Sequence, residues 1–349
     1  MRHSATPTAP RDVPREATRS AIRGATPRVL VTGAYGYVGG RIAQALAHGG
    51  GAEVWLGTRN TRQGAPAWLP QARPVTLDWQ SPASLQRACA GADAIVHLAA
   101  MNEIDSARDP AAALDVNARQ TLHLLDAAIA AKVPRILYMS TAHVYGAPLR
   151  GPIDERTLPR PRHPYAITHK VAEDFMLAAL DAGKIEALVL RLSNGFGAPA
   201  HADVNRWTLL ANDLCRQAVV EGSLTLSSSG LARRDFVTLD DVSRAVLHVL
   251  HLPARQLADG LVNLGGDAAM RVIDMAELSA ARCEAVLGVR VPVRRAAPRQ
   301  DERSDELLFS CAKLQGTGFT LTRNHEAEID ATLRLCAAAF GAVGAARRA

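Results

Sequence analysis

From residue 28 the chain alternates short apolar runs with stretches in which apolar residues recur every three to four positions. The apolar runs predict strands over residues 29–32, 53–56, 74–77, 94–98, 135–140 and 187–192. Between them the helical period predicts helices over 36–48, 81–89, 109–132 and 164–182. Two of these helices open on a capping side chain followed by proline, Ser81-Pro82 and Asp109-Pro110. Strand–helix alternation at this spacing predicts an α/β fold: a doubly wound parallel sheet with right-handed crossovers and helices on both faces. After about Asn194 the rhythm changes. A helix over 207–220, strands at 224–227, 235–239 and 262–265, and helices from Asp240 and over 273–287 predict a smaller, interleaved C-terminal lobe. The expected division is 28–193 for the sheet domain and 194–340 for the lobe, some of whose segments return to the sheet. Residues 1–27 and 341–349 are expected to be a disordered and a flexible tail.

Composition narrows this picture. With 349 residues, 48% of them hydrophobic, the chain can bury a large core. Its formal charge of +6 sits mostly at the ends: residues 1–27 carry five arginines against Asp12 and Glu16, and Arg347 and Arg348 close the chain. No Lys/Arg stripe interleaved with aromatics appears, so nucleic acid is not an expected partner. The N-terminal stretch has four prolines and no apolar segment of signal-peptide type. No run approaches the ~20 apolar residues of a membrane span. Five widely spaced cysteines (Cys89, Cys215, Cys283, Cys311, Cys336) include no CxxC pair, which fits a cytoplasmic protein without a disulfide framework or a metal site. The histidines His48, His123, His201, His248 and His251 lack ligand spacing.

The most informative local feature is Thr32-Gly-Ala-Tyr-Gly-Tyr-Val-Gly39, a glycine-rich turn directly after a strand and before a helix. Glycine lets the chain turn tightly and lets a pyrophosphate approach the backbone, while the helix aims free N–H groups at it. Gly33, Tyr35, Gly36, Tyr37, Val38 and Gly39 are therefore candidate dinucleotide-binding residues. Ligands of open α/β sheets lie beyond the carboxyl ends of the strands, so loops after Leu56, Leu98, Ser140 and Leu192 are expected to line one cleft.

Those loops carry His97-Leu-Ala-Ala100, Ser140-Thr-Ala-His-Val-Tyr-Gly146 and Arg191-Leu-Ser-Asn-Gly-Phe-Gly197, and the helix between the last two opens Pro164-Tyr-Ala-Ile-Thr-His-Lys170. With Leu77-Asp-Trp79, Val116-Asn-Ala118 and Arg233-Arg-Asp-Phe236, this ordered series over about 28–320 resembles the extended short-chain dehydrogenases/reductases that epimerise, dehydrate or reduce nucleotide sugars. The resemblance implies a Rossmann-type fold, a homodimer paired through the helices starting at Asp109 and Pro164, and a nicotinamide cofactor. Asp78 would hydrogen-bond the adenine, with Trp79 beside it. Leu98, Ala99 and Ala100 would flank the nicotinamide ribose, and Asn117 would brace nearby backbone. Thr141 falls at the catalytic hydroxyl position and Tyr165 at the catalytic tyrosine. Asn194, Arg234 and Arg299 match positions that hold a substrate diphosphate, a role that suits arginine's fork. Asp240 is expected to cap the following helix, and Tyr145 either packs or reaches the cleft.

Three departures qualify the resemblance. The family's lysine, four residues after the tyrosine, is His169, and Lys170 stands one residue further. At about 100° per residue Lys170 points about 140° away from Tyr165 and His169 about 40° away. Either His169 takes the role, or a helical bulge re-aims Lys170, or redox activity is impaired. At the end of the second strand Thr58 and Arg59 replace the acidic residue that holds a ribose 2′-OH, which favours NADP(H) over NAD(H) unless Arg59 is a plain loop residue. The Asp-Glu pair of dehydratases is Ala142-His143 here, which weighs against dehydration. The expected activity is epimerisation or ketone reduction on a nucleotide-linked sugar. Reduction of a non-sugar ketone or aldehyde, and cofactor binding with impaired catalysis, are the alternatives.

Overall fold

The computed structural model describes residues 26–60, 64–257 and 259–348. Its first half runs β1 (Arg28–Thr32), α1 (Tyr37–His48), β2 (Glu53–Thr58), β3 (Arg73–Thr76), α2 (Pro82–Cys89), β4 (Ala94–His97), α3 (Glu103–Arg108), α4 (Pro110–Ala113), α5 (Gln120–Ala130), β5 (Arg135–Thr141), β6 (Gly151–Ile153), α6 (Pro164–Asp181) and β7 (Glu186–Leu192). The second half adds β8 (Asn194–Phe196), α7 (Leu210–Val220), β9 (Leu224–Thr225), β10 (Arg233–Thr238), α8 (Leu239–His251), β11 (Leu261–Leu264), β12 (Ala269–Arg271) and α9 (Val272–Leu287). It ends on β13 (Val293–Arg294), β14 (Leu307–Phe309), α10 (Ala312–Gln315) and α11 (His325–Arg348).

Seven parallel strands form the central sheet in the order β11-β7-β5-β4-β1-β2-β3. Alternate residues of β1 face opposite layers: Val29 and Val31 join one cluster with Ile42 and Val246, and Leu30 joins the other with Leu124 and Met176. This two-residue period, with helices covering both faces, is why each strand reads as a continuous apolar run. The order reverses at β1, whose neighbours are β2 and β4, and the crevice beyond those strand ends is where a doubly wound sheet takes its ligand. A separate core unites α7, α9 and α11, and its three-stranded sheet β12-β10-β8 borders the crevice.

Several boundaries differ from expectation for local reasons. The helix expected over 109–132 begins as foreseen, with the Asp109 carboxylate accepting from the Ala112 N–H at 2.9 Å. It is then broken by a π-helical turn over Leu114–Arg119. By contrast α6 is a regular α-helix throughout, so no bulge re-aims Lys170. Thr238, not Asp240, caps α8, its hydroxyl accepting from the Asp241 N–H at 3.0 Å. The segment expected to be loose from 341 continues α11 to Arg348, consistent with its alanine-rich sequence. The N-terminal tail expectation lies outside the described residues, apart from the exposed start of the fold at 26.

Candidate active site

The glycine turn is built as its sequence requires. Gly33 has φ +69°, and a Cβ there would stand 2.9 Å from the Ala99 nitrogen. A Cβ on Gly39 would come within 2.3 Å of the Gly33 carbonyl oxygen, so α1 packs on the turn only because that atom is missing. Two joined cavities open from this point, sharing Gly33, Tyr35, Gly36, Leu98 and Ala100. The larger, about 1000 Å³, is lined by Thr58, Arg59, Asp78, Trp79 and Ala99. The smaller, about 400 Å³, is lined by Tyr37, Val38, Gly39, Thr141, Tyr165, His169, Asn194 and Arg234. Loops after β4, β5 and β7 meet at the smaller cavity, and the loop after β2 serves the larger. The chain thus provides an adenosine-sized chamber and a reaction chamber on either side of a phosphate cradle, which fits a dinucleotide.

Buried hydrogen bonds set the walls. His97 Nδ1 lies 2.6 Å from Thr32 Oγ1 and its Nε2 2.8 Å from Thr121 Oγ1, fixing the β4 end against β1 and α5. Burial pushes His97 down to about 3, so its ring is neutral. Asn117, in the π turn, accepts from the Met101 N–H at 2.7 Å and donates to Thr168 Oγ1 at 3.0 Å. That hydroxyl in turn donates to the Tyr165 carbonyl at 3.0 Å, so Asn117 anchors the first turn of α6 to the β4 loop. Beneath the β5 end, Glu173 accepts from Ser140 Oγ at 2.5 Å and from Arg191 at 3.0 and 2.7 Å. The Arg191 guanidinium lies 4.7 Å over the Tyr145 ring, whose hydroxyl donates to Asn263 at 2.8 Å. Tyr145 is therefore a packing residue.

Thr141 and Tyr165 both line the reaction chamber. Burial, followed by the Glu103 carboxylate, raises the phenol above its usual range, while Arg206 and Thr141 oppose the rise. The His169 ring meets Tyr165 edge-on with centroids 4.3 Å apart, and its Nδ1 is 2.8 Å from the Tyr138 hydroxyl. Burial lowers His169 to about 4, so at neutral pH it carries no positive charge for the tyrosine. Lys170 turns away and pairs with Asp174.

The other expected residues divide between the cleft and elsewhere. Asn194 lines the cleft and donates to the Asp235 carbonyl at 2.9 Å. Arg234 lines it with no side-chain partner among the described residues. Arg299 is exposed and does not line either cavity; its backbone N–H donates to Glu302 at 3.1 Å. Tyr37 reaches the lobe, its hydroxyl donating to the Gly197 carbonyl at 3.0 Å. Among the cleft residues that the sequence did not mark are Glu103 and Arg206, whose side chains pair at 2.9 Å. The Asn102 cap of α3, accepting from the Asp105 N–H at 2.9 Å, was the available signal for Glu103. Arg206 lies in an irregular segment that no periodicity marks.

Residues 29–265 match the NAD dependent epimerase/dehydratase family. The UDP-glucose 4-epimerase of Azospirillum brasilense is 30% identical over 245 residues, covering 65% of this chain and 70% of that protein. The structure of MoeE5 in complex with UDP-glucose and NAD is 26% identical with a TM-score of 0.70, covering 88% of this chain and 99% of that one. The structure of RMD from Pseudomonas aeruginosa complexed with NADPH is 25% identical, also with a TM-score of 0.70, covering 90% and 98%. Among the described residues no helix is long and apolar enough to cross a membrane. The chain belongs to the NAD dependent epimerase/dehydratase family, within the extended short-chain dehydrogenase/reductase enzymes.

Proposed function

We propose that this enzyme epimerises a nucleotide-linked sugar or reduces its keto form, with Thr141 and Tyr165 as the catalytic pair and NADP(H) as the preferred cofactor. The observation that carries this reading is that Thr141 and Tyr165 line one chamber continuous with the glycine turn. A bound nicotinamide would accept or deliver the hydride. In the oxidative direction the substrate hydroxyl gives its proton to Tyr165 in its ionised, phenolate form as its carbon loses hydride, leaving a ketone; in the reductive direction the protonated Tyr165 returns the proton to the oxygen. Thr141 holds that oxygen. Raised above its usual range by desolvation, the half-buried phenol rests protonated, the state needed to donate to a ketone.

Arg234, unpartnered among the described residues, suits a substrate diphosphate, with Asn194 beside it. Arg59 lines the adenosine chamber where an acid would select against a 2′-phosphate. Relatives of both kinds support the range of the reading: one is described with UDP-glucose and NAD, another with NADPH. Exposed apolar side chains on α3, the π turn and α6 (Ile104 63%, Leu114 52%, Ile167 45%, Phe175 40%) suit pairing of two copies, which light scattering would read as a dimer mass.

The test is to denature the purified protein, identify any dinucleotide released, and assay a panel of UDP-, dTDP- and GDP-hexoses and ketohexoses. Near-stoichiometric bound NAD(H) with interconversion of hexoses marks an epimerase and overturns the NADP(H) preference. An empty protein that consumes NADPH with a keto sugar marks a reductase. Turnover that survives in Tyr165→Phe refutes the assigned chemistry.

A further inference from the structure

Between β8 and α7 the chain from 197 to 209 forms neither helix nor strand, yet it is tied down along its length. At one end its ties run to the glycine turn and α1. The Tyr37 hydroxyl donates to the Gly197 carbonyl at 3.0 Å, and Arg41, itself paired with the buried Glu328, donates to the Ala198 carbonyl at 2.7 Å. Ala200 packs so closely on α1 that a Cβ at Gly40 would stand 2.9 Å from its own. His201 Nε2 lies 3.1 Å from the Tyr35 carbonyl oxygen, while its ring stacks on Trp68 with centroids 5.5 Å apart. Val204 packs with Tyr37 and Leu239. The far end crosses to the opposite wall, where Arg206 meets Glu103 at the start of α3, with contacts of 2.9 and 3.2 Å.

The two walls joined in this way are those between which the two cavities communicate. Tyr35 and Asn102 border both cavities. The segment is tied to the carbonyl of the first and to the residue that follows the second. A dinucleotide spanning both chambers has to pass this waist. We infer that residues 197–206 form a strap across the dinucleotide cleft, and that the Glu103–Arg206 ion pair is its latch and sets how fast the cofactor exchanges. The inference rests on the dinucleotide part of the proposed function and on no particular sugar. Chemistry makes the latch the weak end of the strap. The α1 end holds by several hydrogen bonds and packing contacts. At the far end, the hydrogen bonds and ion pairs to the loop after β4 are, among the described residues, those of Arg206 with Glu103 alone. These two side chains are 22% and 35% exposed, so opening the pair returns both charges to water at modest cost. Slow exchange suits a cycle in which hydride taken from a sugar returns to the same sugar before the dinucleotide leaves.

The experiment loads the protein with NADPH or NADH, whichever it binds more tightly, and mixes it with an excess of the oxidised form. Loss of bound-nicotinamide fluorescence is followed by stopped flow in wild type, Glu103→Gln, Arg206→Met, Arg206→Lys and the Glu103→Gln/Arg206→Met double variant. Glu103→Gln decides the matter. Removing a negative charge beside an anionic dinucleotide slows release on electrostatics alone, whereas opening a latch speeds it. The expected result is release about tenfold faster in Glu103→Gln and in Arg206→Met. The double variant is no faster than either single, since the same pair is already broken, and Arg206→Lys stays near wild type. Association quickens with dissociation, because a strap that only bars passage acts alike on entry and exit, so Kd moves little. Unmoved or slower release in Glu103→Gln overturns the inference. So does faster release in Arg206→Met alone, which makes that arginine a direct cofactor contact. Glu103→Gln, isosteric and part-exposed, carries the answer if Arg206→Met does not fold. No sugar enters this assay. A protein that exchanges dinucleotide as expected but turns over no nucleotide sugar keeps the inference and fails the proposed function. One that turns over a sugar with release unmoved in Glu103→Gln does the reverse, and one that binds neither dinucleotide overturns both.

Discussion

Replacing Glu173 by alanine should cost about 3–5 kcal/mol, a value set by what the carboxylate leaves behind. Its side chain is fully buried, that of Arg191 is 3% exposed, and the two share two hydrogen bonds. A third runs from Ser140 Oγ at 2.5 Å. Hydrogen bonds to charged groups are worth about 1.5–3 kcal/mol each. Their sum overshoots, because Arg191 keeps the Tyr145 face at 4.7 Å and some charge relief by relaxation. The dominant loss is the uncompensated guanidinium in the core. Removing both charges with Glu173→Leu and Arg191→Met should therefore recover most of the deficit, so the double variant lies well above the sum of the singles. Urea denaturation of the two singles and the double measures this directly. A loss below ~1 kcal/mol for Glu173→Ala, or strict additivity in the double, would refute the reasoning. Since Ser140 precedes Thr141, the alanine variant should also lose activity under conditions where it remains folded.

Three further outcomes follow from the site. His97 and His169 are lowered to about 3 and about 4 by burial, whereas in the unfolded chain both titrate near 6.5. Acid protonates the unfolded state first, so the stability they contribute is complete above about pH 6.5 and drains as pH falls toward those values; His97→Asn or His169→Asn should remove up to one proton from the slope of stability against pH, and an unchanged slope contradicts their neutrality. Arg59→Ala should weaken NADPH binding more than NADH binding in fluorescence titrations, and equal losses would remove the NADP(H) preference. Gly39→Ala drives a Cβ to 2.3 Å from the Gly33 carbonyl oxygen, so it should cut dinucleotide affinity at least tenfold; calorimetry showing native affinity would contradict the cradle.

The sheet was legible because its strands are buried on both faces, so runs such as Val29–Val31 and Ala94–Val96 stay apolar. Helix starts at Pro82 and Pro110 were legible because Ser81 and Asp109 announce them chemically. That Thr141 and Tyr165 line one chamber followed from an ordered series of motifs. What the sequence concealed depends on partners far along the chain. Glu173 reads as a solvated helix residue until Arg191, 18 positions away, is folded against it. His169 reads as a candidate cation until Tyr138 and the surrounding core desolvate it. The π turn at Asn117 carries no proline or glycine to mark it, and Arg206 sits in a segment with no period at all. The alanine-rich end of α11 has too weak a polar face to separate helix from tail.

The measurement that bears most directly on the central claim is a single turnover. The enzyme, loaded with oxidised dinucleotide, is mixed with a panel of nucleotide hexoses, and the absorbance of reduced nicotinamide is followed in wild type and Tyr165→Phe. The account predicts a rise with at least one nucleotide hexose in wild type, reversed by the matching keto sugar, and a loss of about 10²-fold or more in rate in Tyr165→Phe. No hydride transfer in either direction with any nucleotide sugar, or an equal rate in the variant, would contradict it.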